Sequence, residues 1–321
     1  MKNKKVLILG GTGALGKSLI KRYYDNNDII VFSRDEHKHV DLLKKYDKLE
    51  SYLGDIRDKS SIENALVRYK PDVVINTAAL KHVPICENNP IESVKTNIIG
   101  HQNVIECVGS HDVETLIFVS TDKACKPINV YGMCKAISEQ LYISFAKQQQ
   151  VTKVVMVRYG NVLESTGSVI PYFKSLLENG SDFLPITHSD MTRFLLTLDE
   201  AVDLIDWSYH HKNSHGKIAV PKVKSMRVVN VAKSLIKSYG KNTAVEESTN
   251  FVKLKNIGIR SGEKLHEEMI STEEWLRTED LENYLITSEI VNEEMWSYSS
   301  KNSVLTEKET YKFLSESGVI N

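Results

Sequence analysis

Five short apolar runs punctuate the first half of the chain: KVLILG from Lys5, DIIVFSR from Asp28, PDVVINTAA from Pro71, TLIFVST from Thr115 and KVVMVRYG from Lys153. Each is short and rich in Val and Ile, which suits a strand buried on both faces. Between them lie segments of helical length, such as GKSLIKRYYDN from Gly16 and KSSIENALVRY from Lys59. Alternating β and α units predict a doubly wound parallel sheet with helices on both sides. After Gly160 strands become sparse and polar loops interrupt short helices. Near the end, LTEKETYKFLSES reads as a capped helix starting near Thr306. The expected division is a nucleotide-binding domain over 1–160 plus about 194–221, and a smaller substrate-binding domain over 161–193 and 222–321.

Composition narrows the partners. Apolar residues make up 41% and charged residues 26% of 321, as in an ordinary globular protein. Lys plus Arg number 41 against 42 Asp plus Glu, so no large basic field exists to track a phosphate backbone, and nucleic acid is not an expected partner. No apolar run approaches a membrane span, and the run behind MKNKK breaks into glycines too soon for a signal peptide. A cytoplasmic protein without a membrane partner is expected. Cys86, Cys107, Cys125 and Cys134 form no C-x-x-C pair and read as reduced thiols. The pairs His210–His211 and His37 with His39 lack a Cys or acidic partner at zinc-site spacing, so no metal is expected.

The first strand runs into ILGGTGALGKSL. Gly10, Gly13 and Gly16 give G-x-x-G-x-x-G between a strand and a helix, where the backbone can approach a pyrophosphate at the helix N-terminus. This motif makes the predicted fold a Rossmann-type α/β sheet, with Gly10, Thr12, Gly13, Ala14, Leu15 and Gly16 around the cofactor. The second strand ends in Ser33, Arg34 and Asp35. An arginine there suits a ribose 2′-phosphate and an acid suits the 2′-hydroxyl. Arg34 favours NADP, with Asp35 leaving an opening for NAD. Asp55 and Ile56 should border the adenine. Ala78 and Ala79, in NTAAL, should flank the diphosphate and ribose.

Tyr131 and Lys135 stand one helical turn apart in the Y-x-x-x-K spacing. An ammonium nearby favours the phenolate, so Tyr131 can take a proton from a substrate hydroxyl as hydride leaves the same carbon. Just upstream, Asp122 and Lys123 put an acid beside an amine in a loop after a central strand. Oxidation of a sugar carbon to a ketone acidifies the neighbouring C–H. A base can then remove that proton while an acid protonates the hydroxyl one carbon on, and water is lost. A desolvated lysine beside other cations is neutral enough to be that base, and Asp122 can be the acid.

Further blocks run over nearly the whole length: AALKHVPICENNPIESVKTNIIG (Ala78 to Gly100), STDKACKPINVYGMCK (Ser120 to Lys135), VRYGNV, TGSVIPYF, MTRF and GIRSGEKLHEEMI. With them the chain resembles the UDP-N-acetylglucosamine 4,6-dehydratases of the 5-inverting, soluble type, extended short-chain dehydrogenases used for flagellin and capsule sugars. The resemblance implies C4 oxidation, water elimination across C5/C6, hydride return to C6 and C5 epimerisation. The product would be a UDP-2-acetamido-2,6-dideoxy-4-keto-L-hexose, with a tightly bound, recycled cofactor. Asp122, Lys123 and Tyr131 match the acid, base and redox tyrosine. Thr121 would bond the sugar 4-hydroxyl, and Lys135 the ribose and Tyr131. Lys81 and His82 would line the pocket near the acetamido sugar, with Lys81 and Asn97 also on the cofactor side. Asn161 would orient the uridine diphosphate, while Arg193 and Arg260 with Glu263 would hold diphosphate and ribose. Ser168, Val169, Thr187 and Arg227 complete the implied substrate side. Membrane-anchored, retaining relatives typically carry Met where Tyr131 stands. The chain departs from the pattern at Ser261, where proline is common, and at Glu164–Ser165–Thr166, where GSRG-like text is usual. The family also tends to form homo-oligomers.

Two rivals stand beside this reading. A UDP-sugar 4-epimerase shares the Tyr–Lys pair and the cofactor but needs no acid–base pair for water loss. A catalytically silent NADP-binding regulator would commonly lose Tyr131 or Lys135, and both are present.

Overall fold

The computed structural model describes residues 1–163, 165, 167–242, 252–289 and 292–320. Residues Glu164 and Thr166, part of the departure noted above, lie outside them. Six parallel strands make up most of a nine-stranded sheet: β1 (Lys5–Leu9), β2 (Asp28–Ser33), β3 (Glu50–Leu53), β4 (Val73–Asn76), β5 (Thr115–Val119) and β6 (Lys153–Val157). Their order across the sheet is β3-β2-β1-β4-β5-β6, the doubly wound arrangement. Ile218–Pro221 extends it in parallel beside β6, and Tyr284–Thr287 and Thr278–Asp280 then add in antiparallel fashion at the edge. Those last two strands come from within 222–321 and tie the C-terminal stretch to the main sheet.

Alternate residues of each strand feed opposite cores. Leu7, Leu9, Ile30, Phe32, Leu116 and Phe118 pack on one face. Val6, Ile8, Ile29, Val31, Ile75 and Ile117 pack on the other. Burying one such side chain contributes about 1.5–3 kcal/mol, which is why these runs carry no polar face. The helices that cover the strands are α1 (Ala14–Tyr23), α2 (Glu36–Lys45), α3 (Lys59–Tyr69), α4 (Val83–Asn88), α5 (Pro90–Val94), α6 (Gly100–Gly109) and α7 (Val130–Gln148).

A third core lies beyond Gly160. Helices Val169–Glu178, Val228–Asn242 and Glu307–Glu316 bury Phe173, Leu177, Val231, Leu235 and Leu314 together with Leu195 and Met226. The C-terminal helix begins at Thr306 with a capping box, in which Thr306 and Glu309 each satisfy the other's backbone N–H. A four-stranded sheet links Asn161–Val162, Thr192–Leu196, Ser225–Arg227 and Val304–Leu305. Among the described residues no helix is long and apolar enough to cross a membrane, and no cluster of three or more His, Cys, Asp or Glu could hold a metal ion. All four cysteines are buried free thiols.

Candidate active site

A cleft of about 790 Å³ runs along the C-terminal ends of the parallel strands. In such sheets this crevice, where the strand order reverses between β1 and β4, is the ligand site. One end is made by the glycine loop. Gly10 adopts φ +78 and a Cβ there would meet Ala78 at 2.8 Å, so only glycine lets the β1 and β4 loops touch. Gly13 caps α1 with no side-chain hydrogen bond, and the first turn of α1 carries no acid. The bare, positively polarised N-terminus suits a pyrophosphate, so these residues fit a dinucleotide. Thr12, Ala14, Leu15 and Gly16 line the same end. Ser33 bonds Thr12 (2.9 Å) and the buried His39 (2.7 Å), fixing the end of β2. Ile56, Ala78 and Ala79 also line the cleft, whereas Asn97 does not: its side chain clasps Leu80, accepting from the backbone N (2.9 Å) and donating to the backbone O (2.8 Å).

Arg34 and Asp35 are both at the cleft, but Arg34 is half exposed and turned to Asp55, with Nη1 3.7 Å from Oδ2. Asp55 also receives Arg57 through Nε (2.8 Å) and Nη2 (2.6 Å). Asp35 caps α2 and pairs with Lys38 at 2.7 Å. This end therefore carries two carboxylates, and its arginine is engaged by one of them.

The other end is made by β5, α7 and the loop between them. Asn129 caps α7 by accepting from the Gly132 N–H (2.8 Å). A Cβ on Gly132 would fall 2.2 Å from the Lys123 carbonyl, so the first turn of α7 lies directly against the 122–124 turn. That contact brings Tyr131 and Lys135, both buried, beside Thr121, Asp122 and Lys123. Asp122 is fully buried beneath the cleft wall. Its Oδ1 accepts from Lys123 Nζ (2.9 Å) and the Thr121 hydroxyl (3.0 Å), and its Oδ2 is buried without a hydrogen bond. Burial opposes the charge on Lys123, but the carboxylates of Asp122 and Glu267 outweigh it and raise the amine above its ordinary value. The expected neighbourhood of cations is thus replaced by two acids, with Arg193 the opposing cation. Burial pushes the Tyr131 phenol up to about 12, against the pull of Lys123 and Thr121. Burial pushes Lys135 down to about 7, against Glu139; its Nζ donates to the Val119 carbonyl (2.6 Å) and lies 4.1 Å from the centre of the Phe118 ring. Lys123 is a cation that favours the phenolate.

On the substrate side Lys81, His82, Asn161 and Ser168 line the cleft. Burial lowers the pKa of Lys81, and burial with Lys81 lowers that of His82. Asn161 Oδ1 and Ser168 Oγ are buried beside the cleft without a hydrogen bond. Val169 opens the following helix. Five other residues named from the resemblance are spent within the protein or stand away from the cleft lining. Thr187 is buried against Met191 (3.0 Å), and Arg193 donates to the Thr192 carbonyl (2.7 Å). Arg227 is half exposed near Asp190 (3.9 Å), and Arg260 pairs with Glu263 in an exposed turn. The sequence reading passed over Tyr159 and Thr77, which line the cleft, and Glu267, the second acid at Lys123. Three glutamates share the GEKLHEE block, and nothing in the text marks one of them as inward-facing.

Fold and cleft together define the class: an extended short-chain dehydrogenase/reductase. The family described as polysaccharide biosynthesis protein matches residues 6–289. A UDP-N-acetylglucosamine 4,6-dehydratase (inverting) of Campylobacter jejuni strain 81-176 is 40% identical over 293 residues, covering 89% of this chain and 83% of the relative. A UDP-glucose 4-epimerase of Rickettsia typhi is 37% identical over 292 residues, covering 88% and 82%. The crystal structure of Pen from Bacillus thuringiensis matches with a TM-score of 0.91 at 30% identity, covering 100% of this chain and 99% of that one. The chain belongs to the polysaccharide biosynthesis protein family and, within it, to the inverting UDP-N-acetylglucosamine 4,6-dehydratases. Its reaction is of the UDP-sugar 4,6-dehydratase and epimerase type.

The expectation of NADP is corrected. Two solved structures of this fold contain NAD: DesIV, a dTDP-glucose 4,6-dehydratase of Streptomyces venezuelae (21% identity, TM-score 0.69, 81% and 86% covered), and WbmG of Bordetella bronchiseptica (22%, 0.64, 80% and 82%). In physical terms, the half-exposed Arg34 guanidinium stands 3.7 Å from Asp55, so this end sets carboxylates suited to a ribose hydroxyl beside the arginine.

Proposed function

We propose that this protein is an NAD-dependent UDP-N-acetylglucosamine 4,6-dehydratase that inverts C5. The observation that carries the reading is the ion pair of the buried Asp122 with the partly buried Lys123, 2.9 Å apart, beside the Tyr131–Lys135 pair. One pair is suited to oxidation of a hydroxyl and the other to elimination. Bound NAD would supply the hydride acceptor and donor. Asp35 and Asp55 suit the unsubstituted ribose of that cofactor, and the glycine loop suits its pyrophosphate.

The chain's own groups handle the protons. Tyr131 takes the proton of the sugar 4-hydroxyl, which Thr121 orients. The Asp122–Lys123 pair holds one proton between them. Moved from Nζ to the carboxylate, that proton turns an ion pair into a free amine and a carboxylic acid, the two forms that elimination needs. Lys123 then takes the C5 proton while Asp122 gives its own to the departing 6-hydroxyl. Elimination restores the ion pair, which favours the forward direction. Lys81, His82, Asn161 and Ser168 bind the sugar and its diphosphate. Arg193, Arg260 and Glu263 would support that side by positioning its loops.

Incubation with UDP-N-acetylglucosamine and NAD in heavy water, followed by NMR, tests this. The expected product is a 6-deoxy-4-keto sugar with inverted C5 carrying deuterium, and no reduced cofactor accumulates. The Rickettsia relative favours a second reading, a UDP-sugar 4-epimerase. That activity would give a 4-epimer with its 6-hydroxyl intact and no deuterium at C5.

A further inference from the structure

Lys123 faces one more carboxylate than an acid–base pair requires. Glu267 is buried, and its Oε1 lies 3.7 Å from Lys123 Nζ. The same carboxylate is 3.8 Å from Arg193 Nε and 3.9 Å from Lys264 Nζ. Its backbone is fixed by the Ser299–Ser300 turn: Glu267 N–H donates to Ser300 Oγ (2.9 Å), and the Ser300 N–H donates to the Glu267 carbonyl (2.8 Å). Lys264 in turn donates to the Cys125 carbonyl (2.7 Å), and Asn129 donates to the Gly262 carbonyl (2.8 Å). The segment 262–267 is therefore laced onto the loop that bears Asp122 and Lys123. A carboxylate with two cations of its own has no structural need of a third. Yet it is placed against the amine and leaves one oxygen buried without a hydrogen bond.

We propose that Glu267 is a positioning residue for the elimination step, holding the Lys123 amine beside Asp122. The groups that face Lys123 are Asp122 on its own turn, Tyr131 on α7, Arg193 from Thr192–Leu196 and Glu267 from the C-terminal segment. Of these only Asp122 and Glu267 favour the ammonium. The active pair carries a single proton. It loses that proton when Lys123 gives it up, and the Glu267 charge postpones that loss to higher pH. The proposal rests on the dehydratase reading, and it names a residue outside the Asp–Lys–Tyr set.

Glu267→Gln keeps shape and removes the charge. In single turnovers, C4 oxidation, read as reduced-cofactor absorbance, should stay within about twofold, while dehydration slows on the order of tenfold or more. The alkaline limb of the dehydration profile should move to lower pH by about 1–3 units, the usual reach of an opposite charge at this distance. Glu267→Asp should recover part of the rate. A proportionate fall in both steps with an unmoved alkaline limb would make Glu267 a brace and overturn the proposal. A second measurement needs no substrate. At pH 9, acetic anhydride should label Lys123 faster in Glu267→Gln than in the parent protein, as read by peptide mass spectrometry. Equal labelling overturns the coupling between Glu267 and Lys123. A parent protein that leaves UDP-N-acetylglucosamine untouched instead overturns the dehydratase reading, and the labelling still judges Glu267.

Discussion

The two ends of the cleft are built by different means. The dinucleotide end is mostly backbone: a glycine turn, a bare helix N-terminus and short loops, all within the first 82 residues. The reaction end is side chains delivered from far apart: Thr121 to Lys135, Arg193, and Lys264 with Glu267. A loop motif is local and tolerant, because each N–H acts where the chain already runs. A charge cluster is held by distant segments, so one altered member changes the protonation of the others.

That contrast can be broken hardest at the reaction end. Lys123→Ala and Asp122→Asn should each lower dehydration by about 10²–10⁴-fold, the usual loss of a general base or acid. Binding of UDP-N-acetylglucosamine by calorimetry should persist, and reduced cofactor should build up in single turnovers. Residual dehydration above about a tenth of the parent rate would remove the pair from the chemistry.

Gly132→Ala probes the join between α7 and the 122–124 turn. The added carbon would meet the Lys123 carbonyl at 2.2 Å, and backbone cannot yield cheaply. Overpacking of this kind costs about 1–3 kcal/mol, to be read from urea denaturation. Turnover should fall with it, since the same shift moves Lys123.

Lys135→Met sharpens the comparison through pH. In the folded chain Lys135 loses its proton near 7, against 10.5 for a free lysine. Below pH 7 both folded and unfolded chains hold the proton and the cost of burying the charge is full. Between 7 and 10.5 the unfolded chain binds the extra proton, so stability rises with pH and the cost fades. The stability gained by Lys135→Met should therefore be greater at pH 6 than at pH 9.5. An equal difference at both values would mean Lys135 is not depressed.

The smallest effect belongs to the dinucleotide end. Arg34→Ala removes an exposed ion pair, which is worth about 0–1 kcal/mol. NAD affinity should change by no more than about fivefold, the equivalent of 1 kcal/mol. A loss of a hundredfold would show Arg34 to be a principal cofactor ligand.

The strands β1, β2, β4, β5 and β6 were legible because burial on both faces writes itself as an unbroken apolar run. β3 was not: ESYL is an edge strand with partly exposed side chains, and it carries no such run. The glycine loop, Tyr131, Lys135 and the Asp122–Lys123 pair were legible because each is a short-range spacing. The partners of those residues were not. Asp55 meets Arg34 from a different strand end, and Glu267 meets Lys123 from 144 positions away (267 less 123). Pairings of that kind are decided by packing, and they reversed both the cofactor preference read from Arg34 and the surroundings expected for Lys123.

The edge strands Tyr284–Thr287 and Thr278–Asp280 have a consequence for how the chain assembles. Ile218–Pro221 can join β6 as soon as it is made, but its outer edge waits for a partner more than sixty residues further on (284 less 221). Until then the growing chain displays an unpaired row of N–H and C=O groups beside Ala219 and Val220, which attracts any passing strand. A ribosome stalled short of Tyr284 would release a nearly complete nucleotide-binding sheet with a sticky margin. Synthesis of this protein thus passes through a vulnerable interval that closes only when the second lobe has been threaded and its return strands zip onto the first.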